Sequence, residues 1–332
     1  MSSLPPLGLY VHLPWCERKC PYCDFNSHER AALPEAAYVD ALLRDLRGEM
    51  GLEGHLAKRT VETVFIGGGT PSLFSEEAIG RLLAGIRSSV DLAPDAEITL
   101  EANPGSAEWR RLAGYVAAGV TRLSLGVQSF DDRCLAALGR IHGAADARRA
   151  VAAAGEAGTQ SFNIDLMHGL PGQALAEGIA DIDAAIALGA PHLSWYQLTI
   201  EANTRFYRDP PLLPEEDILG DLEERGAARL ADAGFRRYEI SAWARPGQEC
   251  RHNLNYWRFG DYLAVGAGAH GKLTDEGGRV LRYRKTRRPE DYLADGGTTR
   301  RDVRYLDEAD RRGEFMMNAL RLAGGFEDRL FE

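Results

Sequence analysis

Three cysteines packed into eight residues are the first chemistry the chain offers. Cys16-Glu17-Arg18-Lys19-Cys20-Pro21-Tyr22-Cys23 has the spacing C-x3-C-x2-C. Three thiolates on one tight loop can hold three irons of a [4Fe–4S] cube and leave the fourth iron without a protein ligand. That open corner can take an external ligand and pass it an electron. A structural zinc site would want a fourth Cys or His nearby, and His12 and His28 are both close in sequence. The chain has five cysteines, an odd number with three clustered, so it carries no disulfide framework. In a reducing compartment such a cluster reads as a metal site. Cys134 and Cys250 stand alone and read as small buried side chains.

Further candidates lie downstream. Gly67-Gly68-Gly69-Thr70-Pro71 could bring backbone close to a ligand, because glycine has no Cβ to stand in the way. It is not a dinucleotide fingerprint, since G-x-G-x-x-G is absent after this strand. Glu101-Ala102-Asn103-Pro104, Gln128 and Asp165 each fall at or near the end of an apolar run. A carboxylate buried at such a place is costly without a task or a partner. His252-Asn253-Leu254-Asn255-Tyr256-Trp257 joins an imidazole, a competent axial iron ligand, to aromatics able to cover an apolar macrocycle. The plainer reading of the same residues is a capped helix start with core aromatics. His55, His142, His168, His192 and His270 show no partner pattern and read as structural.

What must position these groups is an alternation of short apolar runs and longer helical patterns. Strands are expected over Gly8–Leu13, Thr63–Ile66, Glu97–Glu101, Arg122–Val127, Ser161–Met167 and His192–Thr199. Helices are expected over Glu35–Glu49, Glu76–Ser88, Glu108–Ala117, a pair within Asp131–Ala157, Leu175–Leu188 and Glu215–Asp232. The first helix has Tyr38, Leu42 and Leu46 on one stripe. Successive β-then-α units imply parallel strands, and nearly continuous apolar strand cores suit burial on both faces. Six units are too few for an eight-fold barrel, which leaves a partial barrel or a doubly wound sheet. In either, chemistry gathers at the C-terminal strand ends, where the residues above fall. After about Phe235 the pattern turns to short strands (Tyr238–Ala242, Tyr262–Val265, Val280–Tyr283), glycine-rich turns and a last helix over Glu308–Leu322.

The 332 residues carry 39 basic against 49 acidic side chains, a net charge of −10. This balance argues against nucleic acid as the principal partner, which needs a basic face. One local exception is the stretch Arg279–Arg288, with Arg279, Arg282, Arg284, Lys285, Arg287 and Arg288. No run approaches the ~18 apolar residues of a membrane span. No signal peptide is visible either, and the chain reads as cytoplasmic.

The cysteine spacing and the glycine loop resemble the radical S-adenosylmethionine (SAM) enzymes. In those proteins SAM chelates the open iron of the cluster and is cleaved by an electron from it. The motifs LYVHLPWC, CPYCDFNS, FIGGGTPS, EANPG, GVQSF, LGRIH, NIDLMHGLPGQ and HLSWYQLTIE look like the coproporphyrinogen-III-oxidase-like group, from about Leu7 to about Arg321. The oxygen-independent oxidase of that group has a further cysteine two positions after the third, where this chain has Phe25, and a long extension ahead of its cluster. Both departures favour the group's haem-chaperone branch, which carries an H-N-x-x-Y-W motif. The resemblance therefore implies a partial (β/α)6 barrel over residues 1–235, followed by a smaller mixed α+β, haem-linked region over residues 236–332. It implies a cluster on Cys16, Cys20 and Cys23. SAM contacts would come from Tyr10, Gly67, Gly68, Gly69, Thr70, Glu101, Gln128, Arg140 and Asp165, and a haem ligand from His252. Haem and acceptor haemoproteins are the implied partners, with room for a homodimer and for peripheral membrane contact. The alternative is the oxidase activity itself. Family members usually continue some tens of residues past Phe315–Gly325 into a small helical module, so the chain is expected to lack it.

Overall fold

Strands that are apolar on both faces need cover on both sides, and the helices between them supply it. The structure, a computed structural model, describes residues 4–52, 54–105 and 108–328. Its core is six parallel strands: β1 (Leu7–Leu13), β2 (Thr60–Gly68), β3 (Asp91–Ala102), β4 (Arg122–Gln128), β5 (Ser161–His168) and β6 (His192–Gln197). They lie side by side in sequence order. The connecting helices are α1 (Glu35–Leu52), α2 (Glu76–Ser89), α3 (Leu112–Ala118), α4 (Asp132–Ala137), α5 (Ala144–Glu156) and α6 (Leu175–Ala187), and α7 (Glu216–Asp232) follows β6. The stripe of α1 is inside as expected, with Tyr38, Leu42 and Leu46 buried in the core. Ser75 starts α2 by accepting the Ala78 N–H at 3.2 Å, with Glu76 and Glu77 in the first turn favoured by the helix dipole. No described helix is long and apolar enough to cross a membrane.

The C-terminal part extends this same sheet at both flanks. After β7 (Arg236–Glu239), β8 (Ala242–Ala244) and α8 (Arg251–Trp257) come β9 (Asp261–Val265), β10 (His270–Thr274), β11 (Val280–Lys285), β12 (Arg300–Tyr305) and α9 (Glu308–Ala319). The sheet runs β12-β11-β10-β9-β1-β2-β3-β4-β5-β6-β8-β7, twelve strands that do not close, so the six parallel strands form an open, partial barrel. β9 joins β1 in parallel, and β10 to β12 continue as an antiparallel meander. The sheet thus passes unbroken across residue 235.

Two details differ from expectation. The single strand over Tyr238–Ala242 is two strands, because a turn at Ile240 and Ser241 folds β8 back onto β7 and β6. β10 and β12 were not expected: β12 is a charged, solvent-facing edge with no apolar alternation to signal it. The flank is locked to α1 by buried charge. Lys285 Nζ lies 2.6 Å from Glu49 Oε1 and also meets Asp45, while Arg300 reaches Glu49 at 2.7 Å. Removing one member of such a group leaves a buried charge uncompensated.

Candidate functional site

The cysteine loop leaves β1 and returns at once. Trp15 and Cys16 pair in parallel with His28 and Glu29, pinching the loop at its base. Trp15 anchors that base by packing its ring 4.6 Å from Tyr38, with Phe74 beyond. Within the loop the Cys23 N–H donates to the Cys20 carbonyl at 3.1 Å, a tight turn that brings the two residues near each other.

Each sulfur has a donor beside it. The Thr70 hydroxyl lies 3.5 Å from Cys16 Sγ, Arg140 Nη1 lies 3.5 Å from Cys20 Sγ, and the Ser27 hydroxyl lies 3.9 Å from Cys23 Sγ. Two of these donors are linked through one amide. Asn103 donates from Nδ2 to Thr70 at 2.9 Å and accepts from Arg140 Nη2 at 2.7 Å. Arg140 Nη2 also donates to the Gly126 carbonyl at 2.7 Å. A single relay, Cys16–Thr70–Asn103–Arg140–Cys20, thereby ties the ends of β2, β3 and β4 to the loop. Burial raises the Cys16 and Cys23 thiols above their ordinary range, so a bound cation would have to draw their protons off.

The glycine loop fits against this base without space for a side chain. Gly69 donates to the Leu13 carbonyl and Thr70 to the Trp15 carbonyl, each at 2.8 Å. A Cβ on Gly69 would stand 2.5 Å from the Trp15 carbonyl oxygen. Gly68 has φ +122°, a backbone region open to glycine, and a Cβ there would meet the His12 ring. Gly67 lies beside Glu101, whose Oε2 accepts the Gly68 N–H at 3.0 Å.

Two carboxylates share the next strand ends. Burial, then the charge of Asp165, pushes Glu101 up to about 7, so it is near half ionised at neutral pH. Asp165 is raised mainly by burial and is held by Asn163 Nδ2 at 2.7 Å and the Ser124 hydroxyl at 3.4 Å. Asn163 is itself oriented by His192 Nδ1 at 2.6 Å, and His192 Nε2 meets the Tyr238 hydroxyl at 2.8 Å. Gln128 ends β4 with φ 70° and accepts from the Tyr196 hydroxyl at 2.9 Å. This is a strained backbone held in place by its surroundings. Tyr10 donates to His12 Nδ1 at 2.9 Å, and His12 Nε2–H donates to the Asn26 carbonyl at 2.9 Å. Burial lowers His12 to about 4, which keeps the ring neutral, and the Asn26 carbonyl, able only to accept, sets the Nε2–H tautomer.

Of the expected site residues, Thr70 and Arg140 meet the cysteines directly, Gly67, Gly68, Gly69, Glu101 and Gln128 fall at strand ends beside the loop, and Tyr10 and Asp165 lie within β1 and β5. His252 is placed elsewhere. It is fully buried against Gly8 and Thr63, at the opposite end of β1 from the cysteine loop. Both its nitrogens are taken: Nδ1 meets the Thr63 hydroxyl at 2.7 Å and Nε2 the Tyr256 hydroxyl at 2.9 Å. It stacks on Phe65 with centroids 5.2 Å apart, and burial lowers it to about 3. Ligation of any iron by His252 would require these contacts to open. Asn103 is given no role of its own in the strand-end segment Glu101–Pro104, and Asn163, within β5, carries no signal in the sequence. His12, a zinc-ligand candidate by its place in the sequence, instead links Tyr10 to the Asn26 carbonyl.

The donor set fits a [4Fe–4S] cluster and SAM. Three sulfurs sit on one loop, a backbone cradle beside them leaves no space for Cβ atoms, and the buried Arg140 Nε–H has no hydrogen-bond partner among the described residues. Fold and site together define the class: residues 10–185 match the Radical SAM superfamily, more than half of the chain. The solved structure of coproporphyrinogen III oxidase (HemN) from Escherichia coli, described as a radical SAM enzyme, superposes with a TM-score of 0.82. It is 24% identical, over 96% of this chain and 76% of that one. Closer in sequence is the heme chaperone HemW of Haemophilus influenzae, 51% identical over all of this chain and 87% of that protein. HemW of Escherichia coli is 52% identical over 97% of this chain and 84% of that one. The chain belongs to the HemW family of radical SAM proteins.

Proposed function

We propose that the protein is a haem chaperone: it holds a [4Fe–4S] cluster and SAM at the strand-end site, binds haem, and passes haem to acceptor haemoproteins. The observation that carries this reading is the identity of about one half, along the full chain, to proteins named heme chaperone HemW. Phe25, where the oxidase resemblance calls for a further cysteine, points the same way.

Cys16, Cys20 and Cys23 would hold three irons, and the cluster would supply an electron to the sulfonium of bound SAM. The chain's own groups would orient that ligand. Gly68, Gly69 and Thr70 offer backbone at close range, Arg140 offers a guanidinium fork to a carboxylate, and Glu101 and Asp165 accept from an ammonium or from ribose hydroxyls. Glu101, half ionised when the site is empty, would be driven to its charged form by a cation beside it. Gln128 and Tyr10 complete the wall with neutral hydrogen-bonding groups.

Anaerobic reconstitution followed by haemin titration and transfer to an apo-haemoprotein tests the proposal. The expected result is a broad iron–sulfur absorbance, a Soret band, and movement of that band's haem to the acceptor. Conversion of coproporphyrinogen to protoporphyrinogen without haem transfer would overturn it in favour of the oxidase.

A further inference from the structure

A cleft of about 720 Å³ opens between the cysteine loop and the flank built by β9 to β11. This is within the ~300–1,000 Å³ of small-molecule sites. One part of its wall is aromatic: Tyr256, Trp257, Phe259 and Tyr262. Phe25 borders it as well and is 66% exposed, so its ring adds apolar surface to the rim. Another part is basic, in a chain whose net charge is −10, and the rest is shared with the strand-end site through Tyr10, His12, Gly68 and Glu101, with Asp24 on the cysteine loop.

The basic groups divide by whether they already have partners. Lys272 is buried and donates to Asp261 at 3.0 Å and to the Phe259 carbonyl at 2.9 Å, so it braces the wall. Arg282 pairs with Glu314 at 2.7 Å, and Arg284 pairs with Asp302. Arg287 is exposed, and its guanidinium has no ion-pair or hydrogen-bond partner among the described residues. His270 is exposed too, opposite Arg284 across the β10–β11 ladder, and neither of its ring nitrogens is hydrogen bonded among the described residues. Partial burial and the arginines around it lower its proton affinity, which keeps a lone pair free. One cleft therefore presents an aromatic wall, a free cation and a free imidazole. That combination complements a flat apolar ring bearing carboxylates and a metal centre.

We propose that the aromatic and basic part of this cleft, beyond the residues it shares with the strand-end site, is the haem site, with His270 as the axial iron ligand, Arg287 on a propionate and Phe25 covering the macrocycle at the rim. The assignment rests on the haem-chaperone reading and places ligation at His270 instead of the enclosed His252. A single exposed, exchangeable ligand also suits a carrier that must release its load.

Haemin and metal-free protoporphyrin IX, titrated into the full chain with its cluster reconstituted, separate the parts. The two share ring and carboxylates, and only haemin offers iron. His270→Ala should weaken haemin binding by about tenfold or more and change the Soret band, while leaving protoporphyrin binding unchanged. Arg287→Ala should weaken both ligands alike. Both positions are exposed, and iron and sulfide content equal to wild type confirms that the variants are folded. If His270→Ala keeps wild-type haemin affinity and Soret position, the site assignment is overturned and the chaperone reading stands. If the wild-type chain takes up no haemin, the chaperone reading itself fails.

Discussion

The cysteine loop and the cleft wall beside it are joined through one side chain, Asn26, which donates to the Ala267 and Arg287 carbonyls at 2.9 Å each. Their polar groups are nevertheless handled in opposite ways. Around the cysteines, Cys16 and Cys20 are tied into one relay through Thr70, Asn103 and Arg140, and the glycines leave no slack. On the cleft wall an imidazole and a guanidinium stand unused at the surface. Bonded groups hold their geometry before a ligand arrives, which suits a resident cofactor whose atoms must be placed closely. Free groups cost little to engage and disengage, which suits a ligand that has to leave.

That contrast can be broken at several points. The largest effect is expected from Cys20→Ala, which should abolish the cluster, read as loss of iron and acid-labile sulfide, while circular dichroism remains that of the wild type. Complete unfolding would show a structural metal in place of a functional one. Gly69→Ala comes next. Its methyl has no room beside the Trp15 carbonyl, and overpacking of this kind costs about 1–3 kcal/mol, measurable by denaturant unfolding of the apoprotein. Asn103→Ala should cost about 1–2 kcal/mol by leaving Thr70 and Arg140 without their shared partner. It should also weaken SAM binding while iron content holds. At the other extreme, Arg287→Ala should change stability by no more than about 0.5 kcal/mol, because the side chain touches nothing that needs it. A cleft variant as destabilising as the Asn103 variant would dissolve the distinction.

The pH dependence sharpens the same comparison. Glu101 keeps its proton up to about 7 in the folded chain, against an ordinary 4.5. Between these values the unfolded chain has released a proton that the folded chain retains. Its contribution is therefore fully present below 4.5 and is lost as pH rises through 7. Glu101→Gln does not titrate. The apoprotein variant should gain melting temperature relative to wild type on going from pH 5 to pH 8, and should bind SAM more weakly. A difference in melting temperature that is flat with pH would show that Glu101 is not held protonated by its surroundings.

Much of the parallel core was legible because strands buried on both faces carry mostly apolar residues, as in Leu7–Leu13 of β1 and Val64-Phe65-Ile66 of β2, and because glycines and strand-end carboxylates announce themselves by type. The relay was not legible. Asn103 in the relay, and Asn163 beside Asp165, are uncharged amides whose importance comes only from what they touch. The basic run Arg279–Arg288 was visible, but its division was not. In β11 the side chains of Leu281, Tyr283 and Lys285 turn inward while Arg282 and Arg284 alternate toward the cleft, and Arg287 follows in the turn. His252 illustrates the converse. Its motif promises a ligand, yet hydroxyls from β2 and from its own helix enclose it. His270, without any motif around it, is left open by a strand that its short, mixed sequence concealed.

The claim beneath both regions is that three thiolates hold a cube of iron and sulfide with one corner free for SAM. Oxygen-protected chain, assayed for iron, zinc and acid-labile sulfide and then examined by electron paramagnetic resonance after reduction, tests it directly. The account predicts about four irons and four sulfides per chain and a spectrum that shifts when SAM is added. Bound zinc without labile sulfide, or a cluster signal indifferent to SAM, would contradict it.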